Sequence, residues 1–461
     1  MPQAQTVQIP KRLPMVAAPE NRDETTAKDA RIINSYIERA PDGQQYWWYR
    51  RPGLLTNLTQ SGDGYGSYNW KGDIYEVFGT TLYKNGTSLG TVDGTAGVYQ
   101  FTSCLGSTPR LVLGNGVKGY TYDGTTLAQI TDSNFPTTFV KGWAFLDGTV
   151  YVMDSGAHIY GSDLNDPTTW NALNVLIAQI EPDAGVALTK QLVYVVALKQ
   201  WTTEIFYDAG NATGSPLGTV QGAKVNWGCL SADGVQSIDD IIFWPATNRA
   251  SAAAVFKLEN LKATRVSTKP IERLLDNADY SNVRSWAFKH NGHRLYGLTL
   301  VNTNLTLVYD LDEDRWAQWT DVNGNYWPIA SMTYTNALAH YAQHMTNGKR
   351  YAVESTVYTD DGAIFSAEIY TPLMDFGIDR KKYVNFLHLE GDKVPGSTIQ
   401  VRVSDDDYQT WTNWRSFNMN QRRPTLTNLG TFYRRAWHFR HQSNTWMRAR
   451  AGDWQVDLGT L

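Results

Sequence analysis

Cysteine is almost missing from this chain, with Cys104 and Cys229 the only two in 461 residues. Neither their number nor their wide spacing supplies a disulfide framework or a metal knuckle, so a reducing compartment during folding is expected. Long hydrophobic runs are missing too. The best apolar stretch, Leu192 to Leu198, is flanked by lysines and too short to span a bilayer. Met1 to Pro19 carries Pro2, Pro10, Pro14 and Pro19 and no apolar core, which excludes a secretory signal. A soluble protein is expected. There is no basic surplus either: the formal net charge is -4, against a protein that coats nucleic acid. A wall past which DNA slides remains compatible, since a neutral or acidic surface withholds phosphate contacts.

Catalytic signatures are absent as well. The chain has no Gly-x-Ser-x-Gly elbow, no His-Glu-x-x-His, no phosphate-cradling glycine loop and no Cys-x-x-Cys. His340 and His344 have the i, i+4 spacing that seats a metal on a helix, but no third ligand lies nearby and the segment reads as a loop. His290 and His293 flank a hairpin turn and read as surface residues. The carboxylate pairs Asp312/Asp314 and Asp239/Asp240 fall in turns or strand starts, where turn preference explains them. No catalytic residue, cofactor or metal site is expected, and the chain is not expected to be an enzyme.

What the chain has is glycine (38), tyrosine (26) and tryptophan (17), with no sustained amphipathic helical pattern. That composition favours an all-β protein of short strands and tight turns. Val283 to Thr320 shows the unit most plainly. A strand through Trp286-Ala287-Phe288, an Asn291-Gly292 turn, a strand from His293 to Leu300, a third around Tyr309 and a fourth with Trp316 and Trp319 make one propeller blade. Lys141 to Trp170 repeats it, with Trp143-Ala144-Phe145, an Asp147-Gly148 turn, Tyr160 and a late Trp170. Weaker copies bring the count to seven, the last running from Ser331 to about Ser366, with six blades plus a closing segment as the alternative. Trp143, Trp286 and Trp316 recur at fixed blade positions, as packing between blades would require.

The expected organisation is therefore an extended arm over residues 1–60, a β-propeller over 61–370 and, after the break at Pro372, a β-sandwich over 371–461. Asp29 to Arg39 reads as a short helix or a buried strand. Tyr46-Trp47-Trp48-Tyr49 is the densest aromatic cluster, and Arg380-Lys381-Lys382 a basic one; these seven residues are the candidate contacts with a subunit or partner. Ser404 to Trp411 resembles the Asp-box of sialidases, with Tyr408 where that motif has glycine; its aspartate serves a turn rather than catalysis.

Two regions resemble a known family. Ile9-Pro10, Leu13-Pro14, Asp29 to Glu38, Pro41-Asp42-Gly43 and Tyr49-Arg50-Arg51-Pro52-Gly53-Leu54 form the first. Val357 to Gly362, Thr371 to Gly377, Val403 to Asp406 with Trp411, and Arg434-Arg435-Ala436-Trp437 form the second. Both are similar to the packaged-DNA stabilisation proteins of short-tailed bacteriophages, also called tail hub, head-closure or nozzle proteins. The resemblance implies a homohexameric ring in the virion tail, assembled in the bacterial host cytoplasm. Its partners would be the portal adaptor protein, a tail needle, spikes or fibres, and packaged DNA passing without sequence specificity. The rival reading is a propeller-type glycan-binding adhesin or polysaccharide depolymerase, since exposed Trp and Tyr faces stack on sugars.

Overall fold

The computed structural model describes residues 9–16, 30–41, 45–250, 252–335 and 339–459. Pro2, Pro19, Asp29 and Asp42-Gly43 of the sequence readings lie outside the described residues. By its contacts the chain forms two units: Thr56–Asn304 with Pro328–Ala352, and Met1–Leu55 with Leu305–Trp327 and Val353–Leu461. Each is all-β apart from short helical segments such as Lys269–Asp276.

The first unit is the propeller. Four-stranded antiparallel sheets begin at Gly64–Trp70, Gln100–Cys104, Ala144–Leu146 and Gly185–Gln191, and a five-stranded one spans Gly228–Arg265. The hairpin Val283–His290/His293–Leu300 and the sheet opening at Ile329–Tyr334 follow, making seven repeats and deciding against six. The hairpins turn where the sequence places them. Asn85-Gly86, Asp147-Gly148 and Asn291-Gly292 all have positive φ at both residues, 48° and 88° in the last case, the backbone a tight antiparallel hairpin requires.

Strands of the repeat are more uniformly apolar than alternation predicts. Thr149–Met153 is buried throughout. Val150 and Val152 pack with Val112, Phe139 and Trp143 on the preceding side, while Tyr151 and Met153 pack with Leu188, Val195 and Phe206 of the following blade. Successive side chains point to opposite faces, and both faces meet a neighbouring sheet. The predicted tryptophans lie in these layers, with Trp143 and Trp286 buried. Cys104 and Cys229 are buried free thiols in the same layers.

The last repeat closes differently from the expectation. Label the N-terminal strands β1 (Arg31–Ile33), β2 (Ser35–Arg39), β3 (Tyr46–Arg50) and β4 (Gly53–Thr59). The fourth strand of the seventh blade is β4, beside Lys349–Glu354, rather than the segment around 355–366. Within the residues expected as an extended arm, 31–33, 35–39, 46–50 and 53–59 are therefore strands. Of the two readings of Asp29 to Arg39, the described residues follow the buried strand, as β1 and β2 on either side of Asn34.

The second unit is a two-sheet sandwich that contains those N-terminal strands. One sheet runs Leu305–Asp310, Arg315–Gln318, β1, Ala367–Tyr370, Ala436–His441, Thr398–Ser404, Arg415–Asn418. The other runs β2, β3, Arg448–Leu458, Lys382–Gly391, Thr425–Thr427. Ile32, Ile37, Trp48, Ile369, Leu387, Val401, Trp437 and Phe439 fill the space between them. Trp316 is buried. The sandwich is thus built from both ends of the chain, and its division from the propeller runs through 305–327 and 353 rather than through Pro372 alone.

Candidate functional site

Asn34 sits where the chain leaves one sheet of the sandwich for the other, and its φ of 49° makes the corner between β1 and β2. Asparagine tolerates that left-handed backbone better than most residues. Its side chain donates to Thr320 Oγ1 (2.8 Å) and the Ser366 carbonyl (2.9 Å). Its Oδ1 accepts from the Thr320 N–H (2.8 Å) and from Arg51 Nε (3.0 Å).

Arg51 is fully buried and completes the node. Nη1 and Nη2 grip the Asp360 carboxylate at 2.9 and 2.6 Å, and the remaining N–H groups donate to the carbonyls of Pro52 (3.1 Å) and Thr320 (3.0 Å). Its guanidinium lies 3.8 Å from the Phe365 ring centroid. A planar fork can be satisfied this completely, where an ammonium cannot. Next to it Arg50 donates to the carbonyls of Tyr358 (3.0 Å), Phe365 (2.9 Å) and Ser443. Burial first, then the neighbouring Arg51 charge, lowers Arg50 to about 10. Gly53 follows because a Cβ there would meet the Thr359 and Val357 carbonyls at 2.5 and 2.6 Å. The Asn34, Arg50-Arg51-Pro52-Gly53 and Asp360-Asp361-Gly362 stretches, far apart in sequence, are one physical object.

The propeller has its own tie at the closing blade. Arg350 donates from Nη1 to Glu76 Oε2 (2.9 Å) and from Nε and Nη2 to Asn57 Oδ1 (3.0 and 2.7 Å). This joins blade seven, blade one and β4. Gln343 adds bonds to the Gly66 N–H (2.8 Å) and the Val77 carbonyl (2.8 Å).

Innermost segments of all seven repeats surround one cavity of about 390 Å³, among them Ser67, Gln100, Lys141, Thr189, Asp233, Arg284 and Ser331. Lys141 Nζ reaches Asp233 Oδ2 at 2.8 Å, and Ser67 and Ser331 hydroxyls meet at 2.8 Å. A space of that size is on the scale of small-molecule pockets, about 300–1,000 Å³.

The residues singled out as contacts divide. Trp48 is buried, donating to Ser35 Oγ (2.8 Å), and Tyr49 is buried and stacked on Tyr36 at 5.1 Å. Trp48 belongs to the core between the two sheets and Tyr49 is enclosed beside Tyr36, so burial within the chain leaves neither ring open to a subunit or partner. Trp47 is half-buried, with the Arg448 and Arg450 guanidinia 4.2 and 4.6 Å from its ring. Tyr46 is half-buried and accepts from Arg315 Nη2 at 3.0 Å. Lys382 is buried, its Nζ spent on the carbonyls of Ile378, Arg380 and Tyr433 at 2.6, 3.0 and 2.8 Å. Arg380 donates to the Gly459 carbonyl at 3.0 Å, and only Lys381 of the basic triplet is exposed. Hydropathy reading could not separate these, because neighbours along a strand face opposite sides.

The expected turn motifs are turns. Asp406 accepts from the Thr410 N–H (2.9 Å), the Thr410 hydroxyl and Ser404 Oγ (2.9 Å), and the Thr410 bonds hold its carboxyl at about 2. Asp407 and Tyr408 take positive φ (66° and 64°), so tyrosine occupies the glycine place of an Asp-box turn at some backbone cost. His340–His344 is a strand rather than a loop, and burial lowers His344 to about 4. Among the described residues no group of three or more His, Cys, Asp or Glu could hold a metal ion, and no helix is long and apolar enough to cross a membrane.

The profile of a phage-stabilisation family, described as "Bacteriophage P22 Gp10, beta-propeller", matches residues 35–357. In fold the chain is similar to the computationally designed protein Ika8 (13% identity, 66% of this chain and 99% of that one, TM-score 0.40). It is also similar to the RRP9 WD40 repeats (10%, 66% and 99%, TM-score 0.42) and to the Pan2 WD40 domain of Neurospora crassa (12%, 67% and 95%, TM-score 0.39). No curated protein sequence matches it.

Proposed function

Because the chain belongs to the bacteriophage P22 Gp10 β-propeller family, and so is a structural component of a phage virion, we propose that it is a tail hub. In this reading it assembles as a homohexameric ring below the portal adaptor, continues the DNA channel, helps retain the packaged genome, anchors needle, spikes or fibres, and performs no catalysis. The observation that carries the reading is the family match over residues 35–357, which includes Arg50 and Arg51 and every blade.

The geometry supports a mechanical role. Apolar layers seal the first five blades each to the next, and the ring is latched by β4 and Arg350. In this reading DNA runs along the shared axis of several chains, past their outer surfaces, and the small volume of the cavity inside one propeller supports that choice. A net charge of -4 suits such a wall, since few phosphates are neutralised and DNA is released freely. Subunit interfaces of roughly 2,000 Å² or more would have to break together for the ring to open. The buried positions of Trp143, Trp286 and Trp316 remove the main support for the glycan-binding alternative.

Particles assembled in host cells lacking this chain provide the test. They should package DNA and then lose it, sedimenting as empty heads, with full heads restored when the chain is supplied. Full, stable heads without the chain would refute genome retention.

A further inference from the structure

Lys199 ends the second strand of the fourth blade, and its side chain is wholly enclosed. Nζ lies 2.6 Å from Glu204 Oε1 and 2.8 Å from Asp183 Oδ1, and it donates to the carbonyls of Glu181 (2.7 Å) and Ala178 (3.2 Å). Both carboxylates are only 1% exposed. Two carboxylates around one ammonium leave a surplus negative charge in a sealed space, and Glu204 Oε2 has no hydrogen-bond partner among the described residues. Burying charge without compensation is costly, so an ordinary ion pair explains only part of this arrangement.

The two carboxylates are held differently. Asp183 Oδ2 accepts from the backbone N–H groups of Trp201 (2.8 Å) and Thr202 (2.9 Å), with the Thr202 hydroxyl at 3.2 Å. Paired N–H donors on one oxygen stabilise negative charge that develops there during attack at the adjoining carbon. Oδ1 of the same group faces the amine and also accepts from the Thr202 hydroxyl at 3.0 Å, and Glu204 touches the amine from the adjacent strand.

We propose that Lys199 and Asp183 become joined by an intramolecular isopeptide bond that forms once the blade has folded. Glu204 Oε1 takes a proton from the ammonium and passes it to Asp183 Oδ1, and the neutral Nζ attacks Cγ of the resulting carboxylic acid. The new C–N bond forms while the Trp201 and Thr202 N–H groups hold the charge on Oδ2. The Cγ–Oδ1 bond then breaks, and Oδ1 leaves as water carrying two of the three ammonium protons, delivered through Glu204. The third proton stays on the amide nitrogen, and Glu204 ends as the carboxylate it began. No oxidant or cofactor is needed. Fixed proximity supplies the effective concentration, and exclusion of water opposes the reverse hydrolysis. The bond would staple the segment entering the blade to its second strand, and it stands independently of the hub proposal.

The test is the intact mass of the purified full chain after denaturation. It should be about 18 Da, one water, below the mass of the sequence. A tryptic digest should contain a branched peptide linking the Asp183 and Lys199 segments, with no cleavage after Lys199. Glu204→Gln and Lys199→Arg should both show the full mass, with circular dichroism reporting whether each is folded. Asp183→Asn should lose ammonia instead, about 17 Da. A wild-type chain at its full mass and cut after Lys199 overturns the proposal whatever the variants do, as does a mass loss that persists in Lys199→Arg.

Discussion

Arg51 shows how a single side chain can organise a sandwich. Its five N–H groups are used on Asn34, Pro52, Thr320 and Asp360, so Arg51→Met would strip the partly buried Asp360 carboxylate of its two-pronged partner. Breaking such a pair costs about 3–5 kcal/mol, read as a lower denaturant midpoint. Trp286 has a comparable role in the propeller. It is 1% exposed and lies over Gly297, where a Cβ would meet the indole at 2.1 Å. Trp286→Ala should cost roughly 3–5 kcal/mol through the cavity it leaves, and Gly297→Ala should destabilise by displacing the ring; both are measured by equilibrium unfolding. Trp286 was legible in the sequence because its position repeats at Trp143. Arg51 was visible only as part of a short motif, since its bonds to Asn34, Thr320 and Asp360 leave no local period.

Glu76 gives the fold a pH signature. Burial raises its carboxyl from 4.5 to about 7, with Arg350 opposing the shift. Between those values the folded chain holds a proton that the unfolded chain has released. Stability should therefore fall as pH rises from 4.5 toward 7 and level off above, by on the order of 3 kcal/mol at most. Glu76→Gln should remove that slope in a pH series of unfolding curves; an unchanged slope would assign it to other groups.

At the scale of elements, β1 to β4 carry the main revision. Prolines and the lack of a repeat made residues 1–60 read as an arm, yet β1 pairs with Ala367–Tyr370 and β3 with Arg448–Leu458. Pairing between strands separated by hundreds of residues leaves no signal in local pattern, whereas hairpins do: Asn291-Gly292 and Asp147-Gly148 were assigned from two residues each. Deleting residues 1–50 should therefore abolish the cooperative unfolding of the sandwich, because it removes three strands, one with the buried Trp48. Substituting Trp47 with alanine should leave folding nearly intact and is the cleaner probe of contacts with a neighbour. A truncated chain that kept its full thermal transition would show that β1 to β3 are peripheral.

At the scale of the whole molecule, seven repeats, closed by β4, and a sandwich built from both chain ends describe a part suited to bearing load. Repeat count and fold class were legible because each blade reuses one pattern of turns and tryptophans. Division of the chain into units was not, because 305–327 reads as blade by pattern while its contacts lie in the sandwich. The hub proposal makes one demand that no small-molecule binder shares. Images of assembled virions, with this chain labelled at its C-terminus, should show a sixfold ring between the portal and the tail appendages carrying six labels. Labels scattered over the head, or a tail with no such ring, would contradict it.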